Sequence, residues 1–278
     1  MPPSHAAVHA ADHVAIPARF QPPSPRARRP GPGVTIRPYL QLFAHLTGDS
    51  FRILPKRLRF PTAVRIARLI APLLHRSRYY QRRPSLLDGP REEALRVVLR
   101  TMTRARVEYR PEVRFQGREL VPDGPVMILS GHFLLNVLTT RWIADAGRRL
   151  TAGLGGPREP MYYAGTTVPL DIAYAGSQMF VQMRRKIAAG DVLFLTIEVP
   201  VPHPEWLAVD TAAGRRYVSP ATFAFAERTG TPVVFLATYL DADGHPQGVY
   251  ERPRSTDAEA MAAEFCEFLR RHVGAVGR

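Results

Sequence analysis

Apolar residues are spaced in three different ways along the chain. Residues 1–35, which include "RFQPPSPRARRPGPG", carry Pro, Ala and Arg without apolar period and predict a disordered leader. Residues 36–110 carry helical periods. In "RLRFPTAVRIARLIAPLLHRSRYY", residues Ile66, Leu69, Ile70, Leu73 and Leu74 recur at i, i+3, i+4, i+7 and i+8, with Arg65, Arg68 and Arg76 largely outside the stripe. That spacing predicts an amphipathic basic helix bent before Pro72. "SLLDGPREEALRVVLRTMTRAR" opens with Asp88-Gly89-Pro90 and two glutamates, a helix start with acidic residues in its first turn.

After residue 111 strand and helix patterns alternate. "EVRFQG", "GPVMILS", "PMYYAG", "DVLFLTIEV", "TPVVFLATYLD" and "GVYERP" read as strands. Between and after them "FLLNVLTTRWIADAG", "SQMFVQMRRKIAAG", "SPATFAFAERTG" and "DAEAMAAEFCEFLRRHV" read as helices, three of them closed by glycine. "DADGHPQ" reads as a turn. Strands alternating with helices of about 10–15 residues predict a mixed, largely parallel α/β sheet flanked by helices over 111–278. Together with the basic helical part, residues 36–278 are expected to form one structural unit.

Charge sharpens the division. The net +14 is concentrated in residues 1–110, which hold 21 Lys+Arg against 6 Asp+Glu, whereas 111–278 hold 17 against 18. Only Lys56 among the N-terminal basic residues is a lysine. Such a region suits an anionic lipid surface, an acidic protein or nucleic acid. Two readings of the basic helix stay open: packing on the α/β domain, and lying on a membrane. Nucleic acid is not the expected partner, because the basic part shows neither a recognised motif nor interleaved aromatics. No run of 18 apolar residues is present and no signal-peptide core stands in the first 30. The expectation is therefore a cytoplasmic protein, either soluble or peripheral on the inner face of the cell membrane through its basic helix.

One histidine stands where chemistry is placed in such folds. His132, in "VMILSGHFLLNV", follows a buried strand and precedes a helix, at the carboxyl edge of the predicted sheet. Gly131 permits a sharp turn beside the ring. Ser130 has no downstream Asp…His pair arranged for a nucleophile, and Gly-x-Ser-x-Gly, Walker A and Gly-x-Gly-x-x-Gly patterns are absent. "GLGG" at 153–156 reads as a proline-flanked loop. His203 and His245 stand alone, metal-ligand spacing is missing, and the one cysteine, Cys266, reads as a small buried hydrophobe.

In order, "GPVMILSGHF", "GDVLFLTIEVP", "SPATFAFAERTGTPVVFLATYLDADGHPQGVYERP" and the final helix resemble the lysophospholipid acyltransferase superfamily. The branch most resembled is that of the lipid A late (lauroyl/myristoyl) acyltransferases, over about residues 36–275. The resemblance implies a glycerolipid acyltransferase-like fold. It also implies acyl transfer from an acyl carrier protein or coenzyme A thioester to a hydroxyl or amine of a lipid, glycolipid or secondary-metabolite acceptor. No metal or cofactor is implied, the thioester being a substrate. The family's His-x4-Asp/Glu block puts the general base at His132, whereas the position of the orienting carboxylate is Val137.

Glu198, at the end of "DVLFLTIEV", is the expected substitute, because neighbouring parallel strands end on one edge; the alternative is a carboxylate facing water. Ser130, Gly131 and Asn136 around the histidine, and Arg184 and Arg185 on the preceding helix, are the candidate substrate contacts. Arg184, Arg185 and Lys186 are read either as an anion-holding group or as a solvated face. Backbone N–H groups at the helix start after His132 are expected to help stabilise an oxyanion. A repurposed chain that binds acyl chains or serves as a partner subunit is the alternative function, with Val137 as its motive.

Overall fold

The computed structural model describes residues 50–76, 87, 89–154, 170–174 and 178–273, all within the compact unit Tyr39–Arg278. The leader, "PMYYAG" and the second half of "GLGG" lie outside the described residues. Ten strands are described: β1 (Arg114–Gln116), β2 (Val126–Ser130), β3 (Leu150–Leu154), β4 (Asp171–Tyr174), β5 (Val192–Thr196), β6 (Glu198–Val199), β7 (Leu207–Thr211), β8 (Gly214–Val218), β9 (Val233–Leu240) and β10 (Pro246–Glu251). The helices are α1 (Lys56–Arg76), α2 (Pro90–Arg104), α3 (Asn136–Thr139), α4 (Arg141–Asp145), α5 (Met179–Ala188), α6 (Ala221–Thr229) and α7 (Ala258–His272).

A seven-stranded sheet runs β1-β10-β9-β2-β5-β3-β4. Strands β4, β3, β5, β2 and β9 are mutually parallel, β10 is antiparallel to β9, and β1 is parallel to β10. The architecture is thus the mixed, largely parallel, helix-flanked sheet that the alternating pattern predicts. Its interior strands are apolar at nearly every position because both faces are covered. Met127, Leu129, Leu193, Leu195 and Phe235 pack on one face with Phe223, Phe265 and Phe268 of α6 and α7. Val126, Ile128, Phe194, Val234 and Leu236 pack on the other with Ile143 of α4 and Tyr250 of β10. There the Tyr250 hydroxyl accepts a bond from Trp142 Nε1 at 2.9 Å and donates to the Thr139 carbonyl at 3.0 Å.

Several elements differ from the sequence reading. "FLLNVLTTRWIADAG" forms two short helices, α3 and α4, meeting at Thr140 rather than one long helix. Gly153 and Leu154 end strand β3 instead of opening a loop. A Cβ at Gly153 would run into Leu195, so the glycine lets β3 lie close against the neighbouring side chain. The hairpin β7–β8, paired with β6 in a separate three-stranded sheet, has no counterpart in that reading.

Helix α1 runs through Pro61 and Pro72 and buries a different stripe from the one its large residues suggest. Phe60, Ala63, Val64, Ala67, Ala71 and Leu74 are buried against Ala94, Leu95, Val98 and Met102 of α2. Leu69 and Leu73 are 77% and 69% exposed. The small alanines allow the two helices to approach closely, and this leaves part of the leucine stripe outside.

Candidate functional site

The geometry around His132 begins at one strand end. Ser130 on β2 pairs with Thr196 on β5 and Leu236 on β9. Going on from β2, the chain crosses outside β5 to form β3 and β4, then returns to β5 and later takes up β9 on β2's other side. The carboxyl end of β2 is therefore a topological switch point, the place where open α/β sheets keep their ligand sites. Gly131 makes the turn there, and a Cβ on it would run into Leu87.

Glu198 reaches this turn because β5 does not continue. Ile197 N still donates to the Ser130 carbonyl at 3.1 Å, while Ile197 O accepts from Ser219 N. One residue later Glu198 has left the large sheet and pairs with Val218 of β8. The single run "DVLFLTIEV" is thus shared between two sheets, and the change of sheet places a fully buried carboxylate under His132. Glu198 Oε1 accepts the His132 backbone N–H at 2.8 Å and lies 2.9 Å from Nδ1. With Oε1 accepting, Nδ1 carries the proton and the lone pair remains on Nε2. The imidazole side chain is 39% exposed, so the ring is within reach of an incoming molecule. Thr196 Oγ1 stands 3.4 Å from Nε2.

Arg216 adds a buried positive charge on this side, its Nη2 donating to the Ala213 carbonyl at 3.1 Å. It lies on β8, two residues from Val218 and on the same face of the three-stranded sheet, and is 1% exposed. Burial pulls its guanidinium below the usual arginine value, and the Glu198 carboxyl pushes it back up.

The other expected site residues divide into two groups. Ser130 and Asn136 are buried and hold the turn. Ser130 Oγ donates to the Leu236 carbonyl at 2.7 Å, and Asn136 Nδ2 donates to the Gly131 carbonyl at 2.9 Å. Asn136 Oδ1 lies 3.1 Å from Ser130 Oγ and 3.4 Å from Thr238 Oγ1. These bonds fix the backbone that carries His132. Arg184 and Arg185 are exposed on α5, on the stretch leading away from His132. The next residue, Lys186, pairs with Asp171 and, at 3.7 Å, with Asp191. Those aspartates stand at the amino starts of β4 and β5, the opposite edge of the sheet from His132.

The oxyanion expectation also changes. His132 N–H is taken by Glu198, and Phe133 N donates back to the Gly131 carbonyl at 2.8 Å. The first helix after the histidine is only the four-residue α3.

Thr196 and Arg216 are the site residues absent from the sequence reading. Thr196 is the first polar residue after the buried run and two positions before Glu198, which is a usable signal. Arg216 had none beyond alternation in "GRRYV", where exposed Arg215 and buried Arg216 look alike.

Asp241, Asp243 and His245 place ligand atoms within 4.8 Å of one another. The Asp241 carboxylate is committed, however, to Gly244 N, His245 N, Gln247 Nε2 and Arg114 Nη1, all at 2.8–2.9 Å, so it serves as the anchor of the β9–β10 turn. A cavity of about 590 Å³ lined by Arg118, Val121, Asp123, Trp142 and Arg148 adjoins the residues leading into β2, away from His132. Cys266 is buried in the aromatic core, and burial raises its thiol above the usual value.

Fold and site together define an α/β protein with a buried carboxylate–histidine pair at the switch point of a largely parallel sheet. No protein-family model and no curated protein matches the chain.

Proposed function

We propose that this chain is an acyltransferase. It moves an acyl group from a thioester of acyl carrier protein or coenzyme A to a hydroxyl or amine of a lipid, glycolipid or secondary-metabolite acceptor. The observation that carries this reading is the 2.9 Å contact between His132 Nδ1 and buried Glu198, with the imidazole itself partly exposed. Such a pair is what a general base requires: a lone pair aimed outward and an acceptor that holds the tautomer and stabilises the imidazolium. Nε2 removes the acceptor's proton as its oxygen or nitrogen bonds to the thioester carbonyl carbon. The tetrahedral intermediate then collapses, the C–S bond breaks, and the imidazolium returns the proton to the departing sulfur. Val137, where the resembled family has its carboxylate, is half-buried on α3, and Glu198 takes over the role from another strand.

The test is thiol release from medium- and long-chain acyl thioesters of carrier protein and of coenzyme A, with a dispersed hydroxylated lipid as acceptor. His132→Ala is expected to lower the rate by about 10²–10⁴-fold. An unchanged rate would remove His132 from the chemistry. Thioester bound by the wild-type chain without turnover would instead favour an acyl-binding scaffold.

The same reading places the chain on an anionic membrane through α1. Leu58, Leu69 and Leu73 are exposed beside exposed Arg57 and Arg65. Apolar insertion combined with lipid electrostatics is the physics of interfacial helices. Sedimentation with vesicles containing phosphatidylglycerol is expected to capture the protein, less so at high salt. Changing Leu69→Asp together with Leu73→Asp should weaken capture by about tenfold or more, since each buried leucine contributes about 1.5–3 kcal/mol. Equal capture of the wild type and the double variant would remove α1 as the contact.

A further inference from the structure

We infer that Arg216 is a positioning residue for the histidine–carboxylate pair: from the diagonal position across the β6–β8 pairing it supplies the positive charge that favours a carboxylate at Glu198, and thereby keeps the proton on His132 Nδ1. The inference deepens the reading of His132 as a base and rests on it only for its consequence in turnover.

Strand register supplies the geometry. Glu198 is opposite Val218 and Val199 is opposite Tyr217, so Arg216 is the next residue of β8 whose side chain shares the Glu198 face. Diagonal neighbours on one face of an antiparallel pair lie roughly 7–8 Å apart, within reach of long side chains. Both residues are buried, Glu198 at 0% and Arg216 at 1% exposure. Oε1 of Glu198 is taken up by His132, whereas buried Oε2 has no hydrogen-bond partner. A carboxylate removed from water with half its acceptor capacity unused is costly unless an opposite charge stands near it. Arg216 supplies that charge from the protein interior, its Nη2 donating to the Ala213 carbonyl at 3.1 Å.

Among the described residues, the ionisable groups that meet here come from three elements: His132 from the turn after β2, Glu198 from β6 and Arg216 from β8. On β7 the residue opposite Arg216 is Val209. Arg215 and Asp210 face the other side of the hairpin, where they pair at 2.8 Å, and Arg270 of α7 adds to the field at Asp210. Thr196 contributes an uncharged hydroxyl.

The experiment follows the His132 imidazole by NMR titration of the full-length chain, its signal assigned by its loss in His132→Gln. In Arg216→Met the local cation is gone, so the pair binds its proton more readily. The titration midpoint is expected to rise by about one pH unit or more, from charge interactions at this separation in a protein interior. Arg216→Lys, which keeps the charge, should return the midpoint most of the way. A folded Arg216→Met chain whose His132 titrates like the wild type would overturn the inference. If Arg216→Met does not fold, Glu198→Gln added to it should restore folding by removing the orphaned carboxylate. A double variant no more stable than Arg216→Met alone would overturn it as well. The midpoint is read without substrate, so an inactive wild-type chain would defeat the acyl-transfer proposal and leave this result standing on its own.

Discussion

Glu198→Gln is expected to lower the proposed thioester transfer by about 10⁴-fold while leaving the chain folded. The magnitude is that of removing the orienting carboxylate from a serine-protease triad. The amide oxygen in the place of Oε1 still accepts both the His132 backbone N–H and Nδ1–H, so the turn and the tautomer survive. What is lost is the negative charge that stabilises the imidazolium formed as the base takes the acceptor's proton. Raising the pH does not repair this, because the amide carries no charge at any pH. The rates of the two proteins over a range of pH decide the matter: a variant within tenfold of the wild type would mean that Glu198 only supports the backbone.

Phe265→Ala should cost about 3–5 kcal/mol of stability, the range for deleting a large buried aromatic. Phe265 is fully buried on α7, and its ring centroid lies 5.1–5.9 Å from those of Phe235, Phe223 and Phe268. These four rings join α7, α6 and β9 on the sheet face that also holds the hairpin residues Val209 and Val218. No small rearrangement fills the resulting void, since its walls belong to three elements. The midpoint of thermal unfolding is expected to fall by about 10 °C, taking roughly 2–4 °C per kcal/mol for a chain of this size. A fall of only a degree or two would show that the cluster collapses into the space.

The sheet was legible from the sequence wherever burial on both faces makes a strand continuously apolar, as in "GPVMILS" and "DVLFLTIEV". Where a strand is half exposed or close-packed through glycine, that signal fails. Leu207–Thr211 and Gly214–Val218 mix exposed and buried residues, and Gly153 disguises the end of β3. Helix α1 was recognisable as a helix but its inner face was not, because hydrophobic size pointed to Leu69 and Leu73 whereas close packing selected Ala63, Ala67 and Ala71. At the site, His132 could be found from its place after a buried strand, and Glu198 from the shared edge of parallel strands. That Glu198 would be buried and bonded, rather than facing water, depended on the departure of the chain at Ile197. Pairing with β8 causes that departure, and no local pattern around residue 197 specifies it.

That departure makes the pair a gauge of strand alignment. An His-x4-carboxylate block is assembled within one turn and its neighbour, whereas here 66 residues separate the partners. Their meeting requires both the Ser130–Thr196 pairing and the Glu198–Val218 pairing. A slip of two residues between β2 and β5 would keep every apolar side chain on its own face yet carry Glu198 about 7 Å along the strand. The inside–outside pattern alone would not forbid such an error, but the histidine would lose its acceptor entirely. Mutations that loosen β5 or the hairpin should therefore silence the protein at temperatures where its helices and sheet are still intact.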